Sequence, residues 1–122
     1  MTKPSPISEA WRTLQPFDLV RVPFPFSDRA ASKMRPALVL SRPDFHGRSG
    51  HLLLAMVTSS AQAAWPLDWT ILDLQPAGLK RAALVRMKLF TLDGRLLREP
   101  LGSLGEPDRL GVTRHLRELI GW

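Results

Sequence analysis

The stretch Phe17–Ser41, FDLVRVPFPFSDRAASKMRPALVLS, decides how this chain is read. Leu19 to Phe24 mixes β-branched and aromatic residues with Arg21, while Pro23 and Pro25 cannot donate to a ladder. That combination predicts a strand at a sheet edge or barrel rim. Ala37 to Leu40 is an unbroken apolar run and reads as a buried strand. Ser27, Asp28, Ser32 and Lys33 between the two are loop formers, and Pro36 biases Arg35 away from helix. A fixed positive charge is thereby delivered to the mouth of a β-sheet.

Further strands are expected at His51–Thr58, at 65–74 with alternating Leu67, Trp69 and Ile71, and at 82–91, which a strong Asp93-Gly94 turn follows. Pro43–Gly50 reads as a polar turn. Pro107–Trp122 has Val112, Leu116, Leu119 and Ile120 at helical spacing, with Pro at its start and Gly121 at its end. The first sixteen residues, rich in Pro and Ser, read as an extension with a short helix around 8–14, and the domain proper as 17–122. Several short strands plus one C-terminal helix predict a mainly β fold, a small, partly open β-barrel with a helical cover.

At 122 residues, 44% hydrophobic and 23% charged, the chain has the size and balance of one globular domain. No apolar run approaches the ~20 residues of a membrane span, and the N-terminus has no signal-peptide core, so no membrane association and a cytoplasmic location are expected. With no cysteine, disulfides, thiolate metal sites and a Cys nucleophile are excluded. The net charge of +6 suits an anionic partner such as nucleic acid. Its distribution sharpens this: Arg29, Lys33, Arg35, Arg42 and Arg48 have only Asp44 among them, and Lys80, Arg81, Arg86, Lys88, Arg95 and Arg98 only Asp93. A solvated basic surface would give the same composition.

Three segments together resemble the MazF/PemK family of type II toxin-antitoxin toxins: the strand-loop-strand DLVRVPFPF…KMRPALVLS, the strand Ala55-Met56-Val57-Thr58-Ser59, and ALVRMKLFTLD at 83–93. The resemblance covers roughly residues 17 to 120. It implies an SH3-like barrel of the CcdB/MazF type, usually a homodimer, and a metal-independent, sequence-selective endoribonuclease that is neutralised by a cognate antitoxin. In that family the ribose 2′-OH attacks the adjacent phosphorus, leaving a cyclic phosphate and a 5′-OH. The family's catalytic Arg and Thr match Arg35 and Thr58.

An Arg is protonated at any ordinary pH, so Arg35 suits charge stabilisation or proton donation rather than proton abstraction. Phe26, Lys33, Ser59, Lys80, Arg81, Arg86 and Lys88 are the expected contacts to single-stranded RNA, and Phe24, Trp65, Trp69 and Phe90 are further aromatic surfaces. Phe90 departs from the Arg of several family members. For the general base, His46, His51, Asp18 and Asp28 all stay open. His46, His51 and His115 form no metal-ligand spacing, so no metal or other cofactor is expected. A different class remains: a non-enzymatic module of the same fold, a CcdB-like gyrase poison or an inactive member of DNA-bound repression complexes.

Overall fold

The computed structural model describes residues 9–23 and 33–122. Its elements are a 3₁₀ turn at Ala10–Thr13, β1 Asp18–Pro23, β2 Met34–Val39, α1 Pro43–Ser49, β3 His51–Ser59, β4 Trp69–Thr70, β5 Ala83–Asp93, a second 3₁₀ turn at Gly94–Leu96, β6 Pro100–Ser103 and α2 Glu106–Ile120. One sheet runs β4-β5-β3-β2-β1-β6, with every neighbouring pair antiparallel. The expected mainly β half-barrel with a C-terminal helix is what forms.

The sheet is covered on both faces. Leu19, Leu38, Ala55, Val57 and Val85 point towards α2 and pack with Val112. Val20, Val22, Ala37, Val39, Leu52 and Leu54 point the other way, under Trp11 and Leu14. Strands buried on both faces read as continuous apolar runs, which is why ALVL and HLLLAMV lack alternation. The segment read as an extension thus contributes to the core from Trp11 onward, and Gly94 lets the Trp11 ring lie against its backbone.

The curl brings the two edges of the sheet near each other. The connection after β4 crosses to β6, where the Ser103 amide donates to the Pro76 carbonyl at 2.9 Å. A Cβ at Gly78 would collide with the Leu101 carbonyl, and one at Gly102 with that of Pro76. Glycine at both positions is what permits so close a backbone approach.

Three local expectations are corrected. Residues 43–49 form a helix rather than a turn, with Pro43 in its first turn and Gly50 at φ 74° closing it. β6 was not anticipated, since PLGS carries no strand signal. The strand expected over 65–74 shrinks to two residues. The reason is Asp108 in the first turn of α2: fully buried, its carboxylate accepts from Trp69 Nε1 at 2.8 Å and from the Leu72 and Asp73 amides at 2.8 and 3.1 Å. Backbone donors that a longer strand would have used go to this side chain instead. The Trp69 ring also lies against Gly111, where any side chain would overlap it.

Asp108→Ala removes the acceptor of three donors at once and leaves those groups unsatisfied, at a cost of about 1–3 kcal/mol each for the least compensated. Urea unfolding should show a loss of about 3 kcal/mol or more, with Asp108→Asn intermediate because its single amide oxygen still accepts.

Candidate active site

Pro36 creates the opening in which the candidate residues meet. The Leu40 amide donates to the Leu53 carbonyl at 2.9 Å, so by alternation position 36 is turned towards β3, where its missing N–H would have bonded. The β2–β3 ladder ends at Ala37 opposite Met56, whereas β1–β2 continues to Pro23 opposite Met34. Beyond Ala37 the two strands part. A cleft of about 360 Å³ lies there, lined among others by Arg35, Pro36, Val57, Thr58 and Ser59.

Extending the β2–β3 register by two residues sets Arg35 across from Thr58, on the same face of the sheet. Thr58 is held from the other side by β5, paired with Leu84, and is only 7% exposed. Lys80 and Arg81, from the loop before β5, form the far wall, with Leu101 of β6 and Arg21 of β1. Among the described residues, four basic side chains and two hydroxyls line this cleft, and no carboxylate does. Its charge is complementary to an anion.

Of the expected contacts, Arg35, Thr58, Ser59, Lys80 and Arg81 therefore come together, and Arg21 joins them. Arg21 is the exposed position of an otherwise buried strand, the one polar residue in LVRV, and that contrast is a signal available in the sequence. Lys33 is exposed just before β2. Phe26 lies outside the described residues, as do Phe24 and Asp28.

Arg86 does not join the cleft. Its guanidinium is buried, donating through Nε and Nη2 to Asp68 at 3.1 and 2.9 Å and through Nη2 to the Ala63 carbonyl at 2.6 Å. The edge that would grip a phosphate is taken up by Asp68, so in this structure Arg86 acts as an internal clamp. Lys88 sits beside it, its Nζ 4.6 Å from the centre of the Trp65 ring.

The proton-transfer candidates among the described residues lie elsewhere. His51 opens β3, seven residues and roughly 20 Å of extended chain from Thr58. Asp18 accepts from the Gln15 amide and from Ser103 Oγ, fastening the start of β1. His46, in the segment read as a polar turn, is fully buried. Its Nε2 meets Ser41 Oγ at 2.7 Å, and that oxygen accepts the Leu53 amide at 2.9 Å.

A family model for PemK-like, MazF-like toxins of type II toxin-antitoxin systems matches residues 15–120. The chain belongs to this family. Among solved structures, the MazF toxin of Deinococcus radiodurans (Form-I) is 28% identical, with a TM-score of 0.67 over 90% of this chain and 98% of that one. The MazE-MazF complex of the same organism (Form-II) is also 28% identical, with a TM-score of 0.67 over 89% and 96%. The Mycobacterium tuberculosis toxin MazF-mt6, 14% identical, shares the fold at a TM-score of 0.67 over 85% and 96%. A comparison with curated proteins finds no match. No helix among the described residues is long and apolar enough to cross a membrane.

Burial pushes the His46 imidazole below its usual pKa, and Nδ1 has no hydrogen-bond partner among the described residues that could accept a second proton. A histidine held neutral in the fold and free to protonate when unfolded stabilises the fold fully above its unfolded pKa of ~6.5. That stability is lost as pH falls from there through the lower folded value. Thermal melts should therefore show a declining Tm from pH 7.5 to 5.5, and His46→Gln should flatten the decline. Asp93, held down to about 2 by the Arg95 side chain, titrates well below this window.

Proposed function

We propose that this toxin is a metal-independent, sequence-selective endoribonuclease acting on single-stranded RNA. The observation that carries the reading is the cleft, lined by no carboxylate among the described residues, in which Arg35 and Thr58 face one another across the parted strands. Cleavage requires the 2′-oxygen to attack phosphorus, its proton to leave, and the 5′-oxygen to depart with a proton. Charge accumulates on the non-bridging oxygens as this happens.

Arg35 suits that charge, because a planar guanidinium can hold two phosphate oxygens through parallel charge-assisted bonds. Thr58 supplies a hydroxyl donor from a rigid central strand, so it needs no reorganisation when the charge develops. Lys80, Arg81 and Arg21 would bind flanking phosphates, and Ser59 adds a neighbouring hydroxyl. Among the described residues the cleft is lined by no histidine or carboxylate, and water or the phosphate itself can take the 2′-OH proton there.

The mycobacterial endoribonuclease solved with its cognate antitoxin, 14% identical, has this fold at a TM-score of 0.68 over 89% of this chain and 94% of that one. We extend its partner class to this chain: an antitoxin whose acidic residues would occupy the basic cleft and exclude RNA. A homodimer and a cytoplasmic location belong to the same reading.

Purified protein should cut single-stranded RNA in EDTA and leave 5′-OH ends. Arg35→Ala should lower the rate a hundredfold or more, about 3 kcal/mol of transition-state stabilisation, with Arg35→Lys only partly restored. Thr58→Val keeps the strand and deletes one donor, so kcat should fall with RNA binding retained. Near wild-type cleavage by Arg35→Ala would overturn the catalytic assignment of Arg35, and toxicity that survives in Thr58→Val without RNA cleavage would favour a non-enzymatic gyrase poison or repression-complex module instead.

Binding should also weaken steeply with salt, by a slope of about 0.7 per phosphate contacted on a single strand. Replacing Lys80 and Arg81 together should flatten a plot of log affinity against log salt while leaving the cleavage sequence unchanged.

A further inference from the structure

Trp65 is 41% exposed, yet the loop that carries it is tied down on three sides. Its amide donates to Asp68 Oδ2 at 2.9 Å, Asp68 is gripped by both Nε and Nη2 of Arg86, and Nη2 also holds the Ala63 carbonyl. Leu67, at φ 64°, turns the chain between them. Lys88 lies over the ring at 4.6 Å. A large aromatic fixed in solvent beside a cation is unlike the exposed Trp122, which follows the end of α2.

Its position matters as much as its rigidity. Met87 packs into the core under α2, so Arg86 points to the opposite face. Arg86 is paired with Met56, two residues along the ladder from Leu84 and Thr58, about 7 Å away on that same face. Asp68 reaches this face because its neighbour Trp69 packs against Gly111 on the other. Arg35, Thr58, Arg86, Lys88 and Trp65 thus form one surface running outward from the cleft.

We propose that Trp65 is a base-stacking subsite for a nucleotide flanking the cleavage point, with Lys88 contacting the adjoining phosphate and the Arg86–Asp68 pair positioning the loop. The inference rests on the RNase reading above and adds to it the residue that engages a base. Every base has a π-face, so stacking anchors the strand without choosing its sequence, and a loop backbone already tied down leaves less to order on binding.

The test uses an octamer of 2′-fluoro-uridylate, which carries bases and phosphates but no 2′-OH to react, and an abasic octamer of equal charge. The wild-type protein should bind the first more tightly than the second. Trp65→Ala should weaken binding of the base-bearing octamer about tenfold and leave the abasic one unchanged, Trp65→Phe should retain most of the affinity, and Lys88→Ala should weaken both. Thermal melts establish that each variant is folded, and the phenylalanine variant preserves the test if the alanine variant is not. For Trp65→Ala, equal losses on the two octamers or no loss on either, or a Trp65→Phe defect as large on the abasic octamer, would overturn the subsite. If that happens while wild-type protein still cuts RNA in EDTA, only the subsite falls; protein that neither binds the octamer nor cuts RNA overturns both readings.

Discussion

One missing hydrogen sets the geometry of this molecule's working surface. Pro36 sits in a central strand, a position from which proline is usually excluded, and its absent N–H falls on the side facing β3 rather than β1. The sheet therefore stays zipped on one side of β2 and opens on the other. Thr58 remains anchored through β5 while Arg35 remains anchored through β1, so the two side chains face a gap whose walls are both rigid. A cleft formed by parting strands needs no mobile lid to hold its polar groups in place.

The opposite face of the sheet answers a different demand. Asp108 and Gly111 join α2 to the segment after β4, one by three hydrogen bonds and the other by having no side chain. A carboxylate in the first turn of a helix also sits favourably against the helix dipole. The helix thus closes the core under the strands that carry the cleft and leaves the outer face to the basic residues.

Much of this was legible in the sequence. Apolar runs and proline positions placed β1, β2, β3 and β5, and the helical spacing after Pro107 placed α2. The Arg-Pro dipeptide located the strand mouth, the motif order linked it to Thr58, and the second basic run pointed to the Lys80-Arg81 pair. Other features depend on partners remote in the chain. The sequence around Trp65 alternates like a strand, but whether it pairs depends on Asp108, some forty residues later. Arg86 looks like any other cation in a basic run until the fold brings Asp68 to it. His46 looks like a loop histidine because a seven-residue helix containing Gly47 has no apolar period to announce it.

The cleft also has an order of assembly. Its walls include Arg21 from the first strand and Leu101 from the last, and β1 lies between β2, its neighbour in sequence, and β6, some eighty residues away. A chain emerging from the ribosome can form the β1–β2 hairpin early, but the opposing wall does not exist until the loop before β5 and β6 have been made. Fragments that stop short of β6 are accordingly without a finished cleft, even when their first strands have already paired.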